Sequence, residues 1–200
     1  MHGSYPISND DMRYVLSTFV VIPMRWMDRF GWRAMTEHER VASANYYREL
    51  GRHMGLRDVP ETYEEFERLL DDYERANFAF DEGGRAVSDA TLDLTASWYP
   101  RPVGAQMRRS SICLLDDPLR EAFGYPRPPA ALTALVRGGM RLRGRLVRLL
   151  PPRRKPHLAR DGRQVRGYPD GYRIAELGTF EGPEDRGTGG GGCPFGAGAS

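Results

Sequence analysis

Apolar residues at positions 12, 15, 16, 19, 20, 23, 26, 27 and 30 recur with the three-and-four spacing of an α-helix. Ser8 stands ahead of them as an N-cap, and Asp10 and Asp11 suit the positive end of the helix dipole. The pattern predicts a helix with one apolar face. Pro23 removes a backbone donor inside it and leaves the Phe19 carbonyl without a partner. A bend near residues 19 to 23 is expected unless a neighbouring side chain or a cofactor pocket uses that gap.

Thr36 with Glu39 forms a capping box that opens a second helix, running to about Met54, where Gly55 supplies a left-handed stop. Its expected buried stripe is Val41, Ala44, Tyr47, Leu50 and Met54. A second capping box, Thr62 with Glu65, opens a third helix whose apolar residues Tyr63, Phe66, Leu69, Leu70, Tyr73 and Phe80 alternate with acids. Gly83-Gly84 reads as a turn. A helix over Ser88 to Tyr99 follows, ended by Pro100 and Pro102, and then one over Val103 to Leu115. Asp117-Pro118 reads as an N-cap with proline at the first helical position, closed by Gly124. The last helix is Ala130 to Leu150, with arginines at 137, 141, 145 and 148 along one stripe.

Beyond Pro151-Pro152 the chain reads to Phe180 as an extended covering segment without sustained period, and Gly187 to Ser200 is a glycine-rich, disordered tail. No fixed-period repeat and no β-branched alternation is present, so the expected class is all-α. Residues 1–180 are expected to form one helical unit and residues 181–200 the tail.

Composition narrows this reading. A chain of 200 residues, 40% hydrophobic and 10% aromatic, can bury a core. Cys113 and Cys193 are far apart, and Cys193 lies among glycines, so neither a disulfide framework nor a cysteine metal site is indicated. The longest apolar stretch, Val15 to Met27, contains Pro23 and Arg25 and is shorter than the roughly 20 residues a bilayer span needs. No secretory signal is recognisable at the amino terminus, and the expected location is cytoplasmic or peripheral to a membrane. The net charge of +2 hides an asymmetry. Glu61 to Asp93 carries eleven acids against three arginines, whereas Gly124 to Ala175 carries thirteen bases against two acids. These are either two solvated faces that partly attract each other or a basic surface for an anionic partner.

Candidate chemistry is sparse. No two of His2, His38, His53 and His157 stand at the i, i+4 spacing of a helical zinc site. His38 and His157 read as surface residues, and His53 reads as a cap near the negative end of its helix. There is no nucleophile elbow, no phosphate loop and no nucleic-acid-binding motif. His2 remains: a single imidazole against aromatic-rich helices is what haem iron needs on its proximal side.

A resemblance adds to this. The run His2-Gly3-Ser4-Tyr5-Pro6-Ile7-Ser8-Asn9-Asp10-Asp11-Met12-Arg13-Tyr14-Val15-Leu16, with Arg25-Trp26 and Arg29-Phe30-Gly31-Trp32-Arg33, resembles the MpaB-type oxygenases, relatives of the latex clearing protein or rubber oxygenase. Asp116-Asp117-Pro118-Leu119, Ala122 to Pro129, Leu149 to Arg154 and Tyr168 to Arg173 continue it in order, so that it spans about residues 1 to 180. The resemblance implies an all-helical fold with a globin-like core around haem b, iron held by histidine, and oxygen-dependent cleavage of a carbon–carbon double bond in an apolar, isoprenoid-like substrate. The family's proximal histidine falls just before the Tyr-x-Ile-Ser-Asn-Asp-Asp run, which here is His2. Family members carry a long amino-terminal part with distal-pocket residues that has no counterpart here, so Met1-His2-Gly3 reads as the interior of a longer protein. A truncated chain of this kind is expected to hold haem weakly and to be inactive. The alternative is a non-catalytic helical module whose basic amphipathic helix, with Arg137, Arg141, Arg145 and Arg148, lies on an anionic membrane surface.

Overall fold

The computed structural model describes residues 7–151. The implied iron ligand His2, the covering segment from Pro152 onward, His157 and the glycine-rich tail lie outside the described residues. Every regular element among the described residues is helical: α1 (Asn9–Phe30), α2 (Glu37–His53), α3 (Tyr63–Asn77), α4 (Glu82–Ser97), α5 (Arg101–Leu114), α6 (Asp117–Ala122) and α7 (Ala130–Val147). This is the all-α class that the spacing predicts.

The first three helices begin where side chains satisfy the orphan amide donors of a helix start. Ser8, Thr36 and Thr62 each accept from the backbone N–H three residues on, and Asp11, Glu39 and Glu65 each reach back to the cap. Gly55 then ends α2 with φ +75°, a conformation that a Cβ would strain.

Helices α1, α2 and α3 enclose the main core, made of Leu16, Val20, Val21, Met24, Ala44, Tyr63, Phe66 and Leu70. Ser17 sits among them fully buried, because its hydroxyl donates to the Arg13 carbonyl at 2.8 Å and so presents no unpaired polar group to the apolar interior. Helix α5 packs on α4 on one side and α7 on the other, and α7 returns to the end of α1. There Gly144 is buried so closely that a Cβ would stand 2.6 Å from the Phe30 carbonyl oxygen.

Several expectations are corrected. The Gly83-Gly84 turn is instead the first turn of α4, because the Asp81 side chain caps it by accepting from Gly84 N–H at 2.7 Å. The cap of α6 is Asp116, one residue earlier than expected, accepting from Leu119 N–H at 3.1 Å, and Asp117 is already helical. Pro102 lies inside the first turn of α5, where its missing N–H costs nothing, so that helix starts before Val103. Helix α3 stops at Asn77, leaving Phe80 outside it, and α7 stops at Val147. Helix α1 runs through Pro23 to Phe30 as the apolar spacing predicts, and Pro23 lies on its exposed side, where water can reach a freed carbonyl.

Candidate functional site

Helix α1 has two apolar faces where the spacing predicts one. The buried face is Leu16, Ser17, Val20, Val21 and Met24. A second line, Val15, Phe19, Ile22 and Trp26, is exposed, with Phe19 at 54%. Helix α2 extends this surface. Of its expected stripe only Ala44 is buried, Tyr47 is half-buried, and Val41, Leu50 and Met54 are exposed. Gly51 lets α2 approach so closely that a Cβ there would lie 2.8 Å from Leu16 Cδ2. That contact turns the Ala44–Gly51 line inward and the larger side chains outward. Phe19 stacks on Tyr47 with ring centroids 6.0 Å apart and planes within 8°, so the two helices share one aromatic surface.

The motif residues behind the family resemblance mostly hold this scaffold together. Asn9 exchanges two hydrogen bonds with the backbone of Arg57, accepting from its N–H at 2.9 Å and donating to its carbonyl at 3.2 Å. Arg25 makes a forked pair with Asp71, two bonds of 2.8 Å, and adds Glu67 at 3.0 Å, fastening α1 to α3. Hydrogen bonding from Arg25 holds the Asp71 carboxyl below its usual range, and Asp71 in turn raises Arg25. Arg33 lies over the Trp32 ring and pairs with both Glu39 oxygens at 2.7 Å. Arg120, only 5% exposed, donates to the Tyr125 carbonyl and to Asp117 and Glu121.

Two further networks are not foreseen from the sequence. Tyr14 stacks on Tyr73 at 4.3 Å; its hydroxyl donates to Glu74, while that of Tyr73 donates to Asp11. Burial raises the Tyr14 hydroxyl and the Glu74 carboxyl, and the hydrogen bond to Asp11 pushes Tyr73 up to about 12. In the second network, Asp89 receives Arg85, Arg108 and the Tyr125 hydroxyl, and Arg85 also covers the Tyr125 ring. Both join residues far apart in sequence; the one signal for them is an arginine or tyrosine inside an apolar run, which must find a polar partner.

The described histidines do not converge on the apolar surface. His38 is exposed in the first turn of α2, and His53, 76% exposed at its side chain, faces Glu49 at 3.4 Å. Among the described residues no three His, Cys, Asp or Glu side chains form a metal-binding group. The clefts mix charged and apolar walls, Phe78, Phe80 and Pro118 among them. One of about 550 Å³ beside the end of α3 is lined by Asp71, Glu74, Asp117 and Glu121, and one of about 570 Å³ beside α7 by Arg120, Arg127, Arg137 and Arg141 with Asp117. The exposed α1–α2 face is the aromatic apolar surface that lies nearest the family's amino-terminal motif.

Comparison with known proteins agrees with the helical motifs. The chain is 26% identical over 178 residues to the ER-bound oxygenase mpaB′ of Penicillium brevicompactum, covering 80% of this chain and 41% of the relative. It is 26% identical over 148 residues to the ER-bound oxygenase mpaB of the same organism, covering 65% of this chain and 38% of that one. The mpaB protein of Penicillium roqueforti is also 26% identical, over 62% of this chain and 47% of the relative. The chain thus spans less than half the length of these curated relatives. No solved structure matches it. Residues 3–148 match the family described as ER-bound oxygenase mpaB/B′/Rubber oxygenase, catalytic domain, and the chain belongs to that family.

Proposed function

We propose that this chain is the helical, haem-carrying portion of an oxygenase that cleaves a carbon–carbon double bond in an apolar, isoprenoid-like substrate, with His2 as proximal iron ligand. Family membership supports oxygenase chemistry. The observation that carries the reading further is the second apolar face of α1. Val15, Phe19 and Ile22, with Leu50 of α2, are exposed apolar side chains, and α1 begins seven residues after His2.

The described residues supply one part of what the group needs. A haem needs apolar walls against a flat macrocycle and one axial imidazole, and a wall of aromatic and branched side chains meets the first requirement. When bound, the haem iron supplies the activation of molecular oxygen that alkene cleavage requires. The chain's own residues would exclude water from one side of the group and hold an apolar substrate by surface contact, while Gly51 keeps α2 close on α1 and the Arg25 clasp fixes α1 on α3. A globin-like arrangement around the haem is part of the same proposal.

Absorbance titration of the purified chain with haem tests it. The expected result is a Soret band that is weakened in Phe19→Glu, absent in His2→Ala and largely lost on gel filtration, because a single wall leaves the other macrocycle face in water at roughly 25 cal/mol per Å². A band unchanged in His2→Ala assigns the iron to another ligand, and no band in the parent chain removes the haem reading.

A further inference from the structure

Among the described residues, helix α7 is anchored on one side and unpartnered on the other. The anchored side carries Gly144, tight against the Phe30 and Gly31 carbonyls, and Arg137, whose Nε donates to the Cys113 carbonyl at 3.2 Å. On the far side Leu135, Leu142 and Leu146 stand at intervals of seven and four residues, which stack on one line of a helix, and Leu149 follows in the turn after the C-cap Arg148. Leu135 is 72% exposed and Leu149 80%, and the two between them are more than half exposed. This line is distinct from the α1–α2 surface.

Charge identifies the occupant. Between Tyr125 and Pro151 the chain has six arginines and no aspartate or glutamate. At 100° per residue Arg143 and Arg145 fall on opposite flanks of the leucine line. Among the described residues neither they nor Arg141 and Arg148 have a carboxylate within ion-pair distance, whereas Arg137 is turned inward. A second copy of this chain would set arginine rim against arginine rim in a two-fold contact, and like charges repel. An apolar line flanked by cations fits an interface with apolar depth and a negatively charged surface.

We propose that the Leu135–Leu142–Leu146 face of α7, with Leu149 just beyond its end, docks on the surface of an anionic lipid bilayer, leucines inserted at the headgroup–acyl boundary and Arg143 and Arg145 on lipid phosphates or carboxylates. No helix among the described residues is long and apolar enough to cross a membrane, so this contact is peripheral. The inference is independent of the haem proposal, since it uses another helix and another face.

Co-sedimentation of the full chain with vesicles of phosphatidylserine mixed into phosphatidylcholine, against phosphatidylcholine alone, tests it. The chain is expected to pellet with the anionic vesicles and to be released by salt. Leu142→Asp with Leu146→Asp should lower partitioning at least tenfold, and Arg143→Gln with Arg145→Gln roughly 25-fold, about fivefold per arginine. All four positions are exposed, so the helical circular dichroism of both variants should match the parent. Phe19→Glu should leave vesicle binding unchanged. Equal binding to both vesicle types, binding that survives the α7 variants, or binding lost only in Phe19→Glu overturns the proposal. Self-association in sedimentation velocity that disappears in the leucine variants, without vesicle binding, makes the face an interface between copies and overturns it as well.

Discussion

At the scale of single residues, the chain places charged groups where each completes a local set of hydrogen bonds. Glu39 shows this best. It accepts from Thr36 N–H at 2.9 Å, closing the capping box of α2, and it also receives Arg33. The Arg33 hydrogen bond first, and the Thr36 backbone second, lower its carboxyl from 4.5 to about 2. A carboxyl depressed by folding adds stability that is fully present above its unfolded value and is lost as pH falls through its folded one. Glu39→Gln should therefore melt below the parent at neutral pH, and the difference in Tm should close as pH is lowered from 4.5 to 2. Thermal melts of both proteins across that range check the expectation; a constant difference would mean that the Arg33 pair contributes nothing through charge.

At the scale of elements, glycines decide how helices meet. In α7, Gly144 lies against backbone carbonyl oxygens of Phe30 and Gly31, which cannot rotate aside as a side chain can, while Gly138 and Gly139 have nothing within 4 Å of where a Cβ would stand. Gly144→Ala should push α7 off the end of α1 and destabilise the protein by about 1–3 kcal/mol. Gly138→Ala or Gly139→Ala should stabilise it by about 1 kcal/mol, because alanine restricts the unfolded chain and favours the helix. Urea unfolding monitored by circular dichroism separates the two cases. The same logic explains α2, whose Gly51 determines which residues turn toward Leu16 and which stay exposed beside Phe19.

At the scale of the whole described molecule, stability is uneven. The main core lies in α1, α2 and α3, whereas α4 has no buried residue at all. Helices α4 and α5 are joined instead through the Asp89 and Asp93 pairs with Arg108 and a close approach of Gly104 to Ala96. Partly exposed ion pairs contribute little compared with apolar burial. Hydrogen exchange should therefore proceed faster at the amides of α4 than at those of α1 and α3, and equal protection would show that the Arg108 and Arg85 networks hold α4 as firmly as a core does. Two apolar faces, on α1–α2 and on α7, remain open among the described residues, which is the feature that both functional proposals use.

How much of this was legible beforehand follows from the range of the interactions. Ser8, Thr36 and Thr62 declare their helices within four residues, so element type, the all-α class and most boundaries could be read from the chain, as could family membership from the ordered motifs. The exceptions include Asp116, which competes with the adjacent Asp117 for one cap, Gly83-Gly84, which the Asp81 cap draws into a helix, and the shifted boundaries of α3, α5 and α7. Helix faces were not legible. Periodicity identifies apolar residues but not their partners, and α1 is apolar around so much of its circumference that Leu16 and Phe19 look alike in one dimension. The amino-acid sequence by itself determined that the chain is helical and where the capped helices α1, α2 and α3 start, because capping and periodicity act over a single turn. Only the tertiary structure decided which apolar face is buried and which stays open, because that choice rests on close approaches such as Gly51 to Leu16 and Arg25 to Asp71, between residues that meet only after the chain has folded.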